Sequence, residues 1–109
     1  MEAHFHRGVD LVRHGEFFAA HEELELAWRA AETWERDFFQ GLVHVAVAWY
    51  QAGRGRRIGC ERQLAKAARR LAPFAPEHRG LDVASILEQV DAAGHVVERG
   101  SLELEPPRI

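Results

Sequence analysis

Apolar positions along the chain recur at intervals of three and four residues, the period of a helix face. Alternation in twos, the mark of a half-buried strand, is nearly absent, and β-branched residues are few. Phe5, Val9 and Val12 define a first helix that stops at Gly15, a residue suited to the left-handed conformation just past a helix end. The second helix, about residues 16 to 31, sets Phe17, His21, Leu24 and Trp28 at i, i+4, i+7 and i+11, so a histidine stands in an apolar stripe. A third helix, about residues 34 to 52 with Thr33 as its cap, is apolar nearly all round and belongs in the middle of a bundle. Phe38, Leu42, Val45, Ala46 and Trp49 are its expected core.

Gly53-Arg-Gly55 reads as a loop, and a fourth helix, about residues 57 to 72, presents Leu64, Ala68 and Leu71 before Pro73 and Pro76 end it. An irregular segment follows. Asp82 then caps a fifth helix whose Ile86, Leu87, Val90, Gly94 and Val97 make an inward stripe closing near Gly100. The expected fold is all-α: a compact bundle of about five helices around a buried third, one domain over residues 1–100, and an extended tail over 101–109 containing Pro106-Pro107.

Length agrees with one domain, since 109 residues lie below the size at which chains divide. With 47% hydrophobic residues, three Trp and six Phe, the chain has the apolar surface for a core. A domain this size is modestly stable, and a second copy forming a homodimer would add buried surface. Cys60 is the lone cysteine, which excludes an intramolecular disulfide and fits a reducing compartment such as the cytoplasm. The first residues lack the basic start and apolar run of a secretory signal. The longest apolar stretch, Phe38 to Tyr50, is interrupted by Gln40, Gly41 and His44 and is too short to span a bilayer.

The run from Gly15 to Arg29, with His21, Glu22, Leu24, Glu25 and Trp28 spelling His-Glu-x-Leu-Glu-x-x-Trp, is followed by Phe39-Gln-Gly-Leu-Val43 and Gly59-Cys-Glu-Arg-Gln-Leu64. These three pieces, in this order and over about Leu11 to Val90, resemble the domain-of-unknown-function family 309. The resemblance implies a compact helical bundle of bacterial or archaeal origin with no established activity. His44 departs from the family pattern, which places an amide or another polar residue there, and Cys60 replaces a small alanine.

On a helix, His21 and Glu25 project from the same side one turn apart, while Glu22 points to an adjoining face. The zinc-protease pattern His-Glu-x-x-His fails because Glu25 holds the second histidine's place. The paired Glu-x-x-His motifs of di-iron bundles are absent as well. A third helix could bring His44 beside His21 and Glu25, two histidines and a carboxylate able to hold a divalent metal with an open position. The competing reading makes His21, Glu25, Gln40 and Trp28 a hydrogen-bonded network inside the bundle, since buried polar groups must find partners. His4 and His6, near the terminus, read as solvated. Cys60 has Arg56, Arg57 and Arg62 nearby, which could activate a thiol, or it is a small residue packed at a helix start.

Net charge is −3, but residues 54 to 70 carry seven basic side chains and one acidic, while residues 1 to 50 carry four basic and nine acidic. Arg62, Lys66 and Arg69 fall at i, i+4 and i+7 and line one face. Such a stripe meets phosphates of nucleic acid, pairs with the acidic second helix of another copy, or is a solvated face. No aromatic platform for stacking bases interleaves with it. The resulting expectation is a non-enzymatic binding or scaffold domain without a cofactor. The alternatives are a metal-dependent enzyme, such as a hydrolase with Glu22 as general base, and a nucleic-acid binder acting through the fourth helix.

Overall fold

The computed structural model describes residues 1–109 and contains five α-helices: α1 (Glu2–Arg13), α2 (Phe17–Ala30), α3 (Arg36–Gly53), α4 (Arg57–Leu71) and α5 (Val83–Glu98). Gly15 ends α1 as its sequence predicts. At φ +76 it lets its own N–H reach the Val12 carbonyl and the Glu16 N–H reach that of Leu11, the paired bonds of a Schellman motif. The α3 and α5 ends close the same way at Gly55 and Gly100. At the other end of α5, the Asp82 carboxylate accepts the Ser85 N–H at 2.9 Å, the expected N-cap.

Thr33 does not cap α3. Residues Thr33–Glu35 form one turn of 3-10 helix, closed by the Glu35 N–H on the Glu32 carbonyl at 3.0 Å, so Thr33 lies a full turn before α3 begins at Arg36. The segment expected to be irregular contains a second 3-10 turn, Ala72–Phe74, and a minimal antiparallel hairpin. In the hairpin, Glu77–His78 (β1) pairs with Leu81–Asp82 (β2), His78 opposite Leu81.

Each helix packs mainly on its neighbours in sequence, which leaves α3 in the middle. Phe38, Leu42, Val45, Ala46 and Trp49 are all buried, and Phe39 joins them. A Cβ added at Gly41 would lie 2.6 Å from Cγ of Leu71, so the α3–α4 crossing is as close as the missing side chain allows. On α4, Leu64, Ala67 and Leu71 are buried; on α5, Ile86, Val90, Ala93 and Val97 are. Residues 101–109 adopt neither helix nor strand and pack Leu102, Leu104 and Ile109 against the core. No helix is long and apolar enough to cross a membrane.

Candidate functional site

The residues of the His-Glu-x-Leu-Glu-x-x-Trp motif do not close into one buried cluster. Leu24 alone is fully buried; His21, Glu25 and Trp28 are half-buried and Glu22 is exposed. The ring of His21 donates from Nδ1 to the Phe18 carbonyl at 3.1 Å, and its Nε2 lies 3.7 Å from Glu25 Oε2. His21 therefore faces a small pocket between α2 and α3, about 190 Å³ in volume and lined by Phe17, Phe18, His21, Val47, Tyr50 and Gln51. Phe18 stands at the rim, half exposed, with its ring 5.4 Å from that of Tyr50 and 5.2 Å from that of His21. Gln51 borders the pocket, but its amide turns toward Gly59 of α4, where its Oε1 is buried without a hydrogen-bond partner.

His44 looks the other way. On α3 the stripe Gly41, His44, Ala48 and Gln51 turns toward α4, whereas Val47 and Tyr50 turn toward α2. His44 Nδ1 donates to Gln63 Oε1 at 2.7 Å, and its Nε2 is buried without a partner. Burial holds the imidazole below its ordinary pKa, and the Lys66, Arg70 and Arg69 cations push in the same direction against the Gln63 bond. His44 is thus a neutral ring committed to α4, and the set His21, Glu25 and His44 is not assembled. No three His, Cys, Asp or Glu side chains anywhere in the fold come together as a metal-binding group. The close approach granted by Gly41 serves α4 instead of a joint site with α2. Gln40 lies half-buried on α3.

The polar centre that the structure does build was not visible in the sequence. Glu35 is the one buried charged residue. Its carboxylate accepts from the Arg79 guanidinium through Nε and Nη2, the latter at 2.8 Å, and from His78 Nε2 at 2.8 Å. Arg79 also bonds Glu2, and its guanidinium lies over the rings of Phe39 and Phe5. To make this reach, Arg79 adopts a left-handed φ of +48 at the hairpin turn. The Arg79 bonds hold the Glu35 carboxyl below the usual range despite its burial. His78 is wedged among Trp34, Phe38 and Phe74. One ionic knot thereby joins α1, the start of α3 and the hairpin. The partners are 43 and 44 residues apart in sequence, so no local spacing could have revealed them.

The remaining candidates sort by exposure. Arg62, Lys66 and Arg69 are exposed on α4, and none of the three pairs with a carboxylate, unlike Arg57 with Glu61 and Arg70 with Asp37. Cys60 is fully buried, and burial raises its thiol pKa, the opposite of activation by the nearby arginines. His4, expected to be solvated, donates to Glu23 at 2.7 Å alongside Arg7 at 2.8 Å, which lowers the Glu23 pKa. His6 is exposed, 3.6 Å from Glu2.

No curated protein and no solved structure matches the chain. A family model described as a domain of unknown function, DUF309, matches residues 5–63, more than half of the chain, which takes in most of α1, all of α2 and α3, the pocket between them, and the start of α4. The chain belongs to the DUF309 family.

Proposed function

We propose that the chain is a non-enzymatic binding module whose contact point is the α2–α3 pocket. The observation that carries this reading is that His21, the first residue of the family-like motif, opens on a pocket rimmed by Phe18 and Tyr50. At about 190 Å³ the pocket is smaller than the roughly 300 to 1,000 Å³ typical of small-molecule sites, and suits one apolar side chain of a protein partner. Phe18 and Tyr50 supply aromatic anchors of the kind that concentrate binding energy, and His21 offers a polar ring at the pocket wall. A buried free thiol supports a reducing, cytoplasmic setting. The metal-dependent alternative would need His44 to leave Gln63 and join His21 and Glu25 across the helix.

The test is selection of amphipathic helical peptides on the immobilised chain. Recovered peptides should share one bulky apolar residue and lose roughly tenfold or more in affinity against Phe18→Asp, with circular dichroism unchanged. Recovery of no binder, or of binders indifferent to Phe18, would refute the reading.

A second reading rests on Arg62, Lys66 and Arg69, three exposed cations one turn apart with no acidic partner. If they meet nucleic-acid phosphates, retention on a mixed pool at about 50 mM salt should fall steeply with added salt. No retention at that salt would remove this reading.

A further inference from the structure

The tail from Ser101 to Ile109 is held as a peptide ligand would be. Trp49 of α3 donates its indole N–H to the Glu105 carbonyl at 2.9 Å. Gln89 of α5 clamps one residue from both sides: its Nε2 donates to the Arg108 carbonyl at 2.7 Å and its Oε1 accepts the Arg108 N–H at 2.7 Å. Ser85, one turn earlier, bonds the same amide at 3.1 Å and fixes its orientation. Pro107 is buried, whereas the side chains of Glu103, Glu105, Pro106 and Arg108 are exposed. The groove therefore reads backbone polar groups, apolar residues at 102 and 104, and a proline, and ignores the charged side chains.

This is the chemistry by which proline-containing segments are recognised. Proline fixes φ and removes a donor, so the segment loses little entropy on docking and leaves its carbonyls free for an indole or amide N–H. The tail does not fill its groove. A cleft of about 760 Å³ remains between it and α5, walled by Trp49, Ala93 and Val96 on its apolar side and by Glu88, Arg99 and Glu103 on its charged side. We propose that the α3–α5 groove docks extended, proline-containing segments of other proteins, and that the chain's own tail occupies it in cis. The unfilled cleft favours an occupant bulkier than the tail, and so a foreign segment over the tail of a second copy.

The test uses the full chain and a fluorescent peptide of the sequence of residues 101–109. A tethered tail competes at an effective concentration on the order of millimolar, so the wild type should bind the peptide weakly. Pro107→Ala, which loosens the tail, should bind it roughly tenfold tighter, and Arg108→Pro, which deletes the N–H that Gln89 accepts, should do the same. Adding Gln89→Ala or Trp49→Phe to either should return binding to background with the helical signal intact. A second peptide carrying phenylalanine at the first proline should bind at least threefold tighter than the tail sequence. Equal binding by wild type and loosened variants, binding that survives Gln89→Ala, or no gain from the bulkier peptide would overturn the proposal. So would a loosened variant that dimerises by exchanging tails without taking up peptide.

Discussion

Replacing Arg79 by alanine removes a guanidinium that makes two bonds to Glu35 and one to Glu2. Both residues at position 79 carry a Cβ and bear the same left-handed strain at φ +48, so the difference between them reports the side chain. Glu35, whose side chain is 5% accessible in the wild type, is left with His78 alone. Removing one partner of a buried ion pair costs about 3 to 5 kcal/mol. Arg79 is itself 24% accessible and His78 retains one bond, which places the loss near the lower end, about 3 kcal/mol. The exposed Glu2 contact adds little. At roughly 4 to 8 °C per kcal/mol for a domain near this size, Tm should fall by about 12 to 24 °C. Thermal and urea melts at pH 7 and pH 3 measure both the loss and its cause. Because the fold depresses the Glu35 pKa, the stabilisation is full above the unfolded value, about 4.3, and disappears as pH falls through the folded value. The gap between wild type and Arg79→Ala should therefore narrow at pH 3. A loss under about 1 kcal/mol at pH 7, or an equal loss at both pH values, would show that the ionic knot does not hold the hairpin in place.

Gly41→Ala should destabilise by about 1 to 3 kcal/mol through its clash with Leu71. Gly94→Ala, whose Cβ meets nothing within 4 Å on α5, should stabilise by about 0.5 to 1 kcal/mol, both read from urea midpoints at constant slope. Since the fold lowers the His44 pKa, the unfolded chain takes up a proton near pH 6.5 that the native state refuses, and stability falls as pH drops below that value. His44→Gln should lack this fall, so the two urea-stability profiles should diverge between pH 8 and pH 5.5; parallel profiles would contradict the assignment. Cys60 should resist a thiol reagent in the native state and react at once in denaturant; rapid native labelling would mean that α4 opens far more often than its packing implies.

The helices were legible because each carries its own period and its own stop. Gly15, Gly55, Asp82 and Gly100 act within a few residues of themselves, and local chemistry is what a sequence displays. The hairpin escaped because its strands are two residues long, too short for alternation to appear. Glu35 escaped for a different reason: nothing distinguishes it from the exposed Glu32 until Arg79 arrives from the far half of the chain. At the motif the sequence displays the spacing and not the facing. His21 and His44 each lie on an inward-leaning face, but α3 has two such faces, and periodicity alone does not say which helix each one meets.

The distance between Glu35 and Arg79 also bears on how the chain emerges from a ribosome. When residue 63, the last of the family-matched stretch, has been made, α1, α2 and α3 exist, but the carboxylate at the start of α3 still has neither His78 nor Arg79, and Gly41 has no Leu71 to receive. Water must serve that carboxylate until the hairpin is translated, so the knot that joins α1, the start of α3 and the hairpin closes late in synthesis. The stretch by which the chain is assigned to its family thus lacks the partners of its own buried carboxylate, and stalled chains ending at residue 63 should be less protected from exchange than chains that include the hairpin.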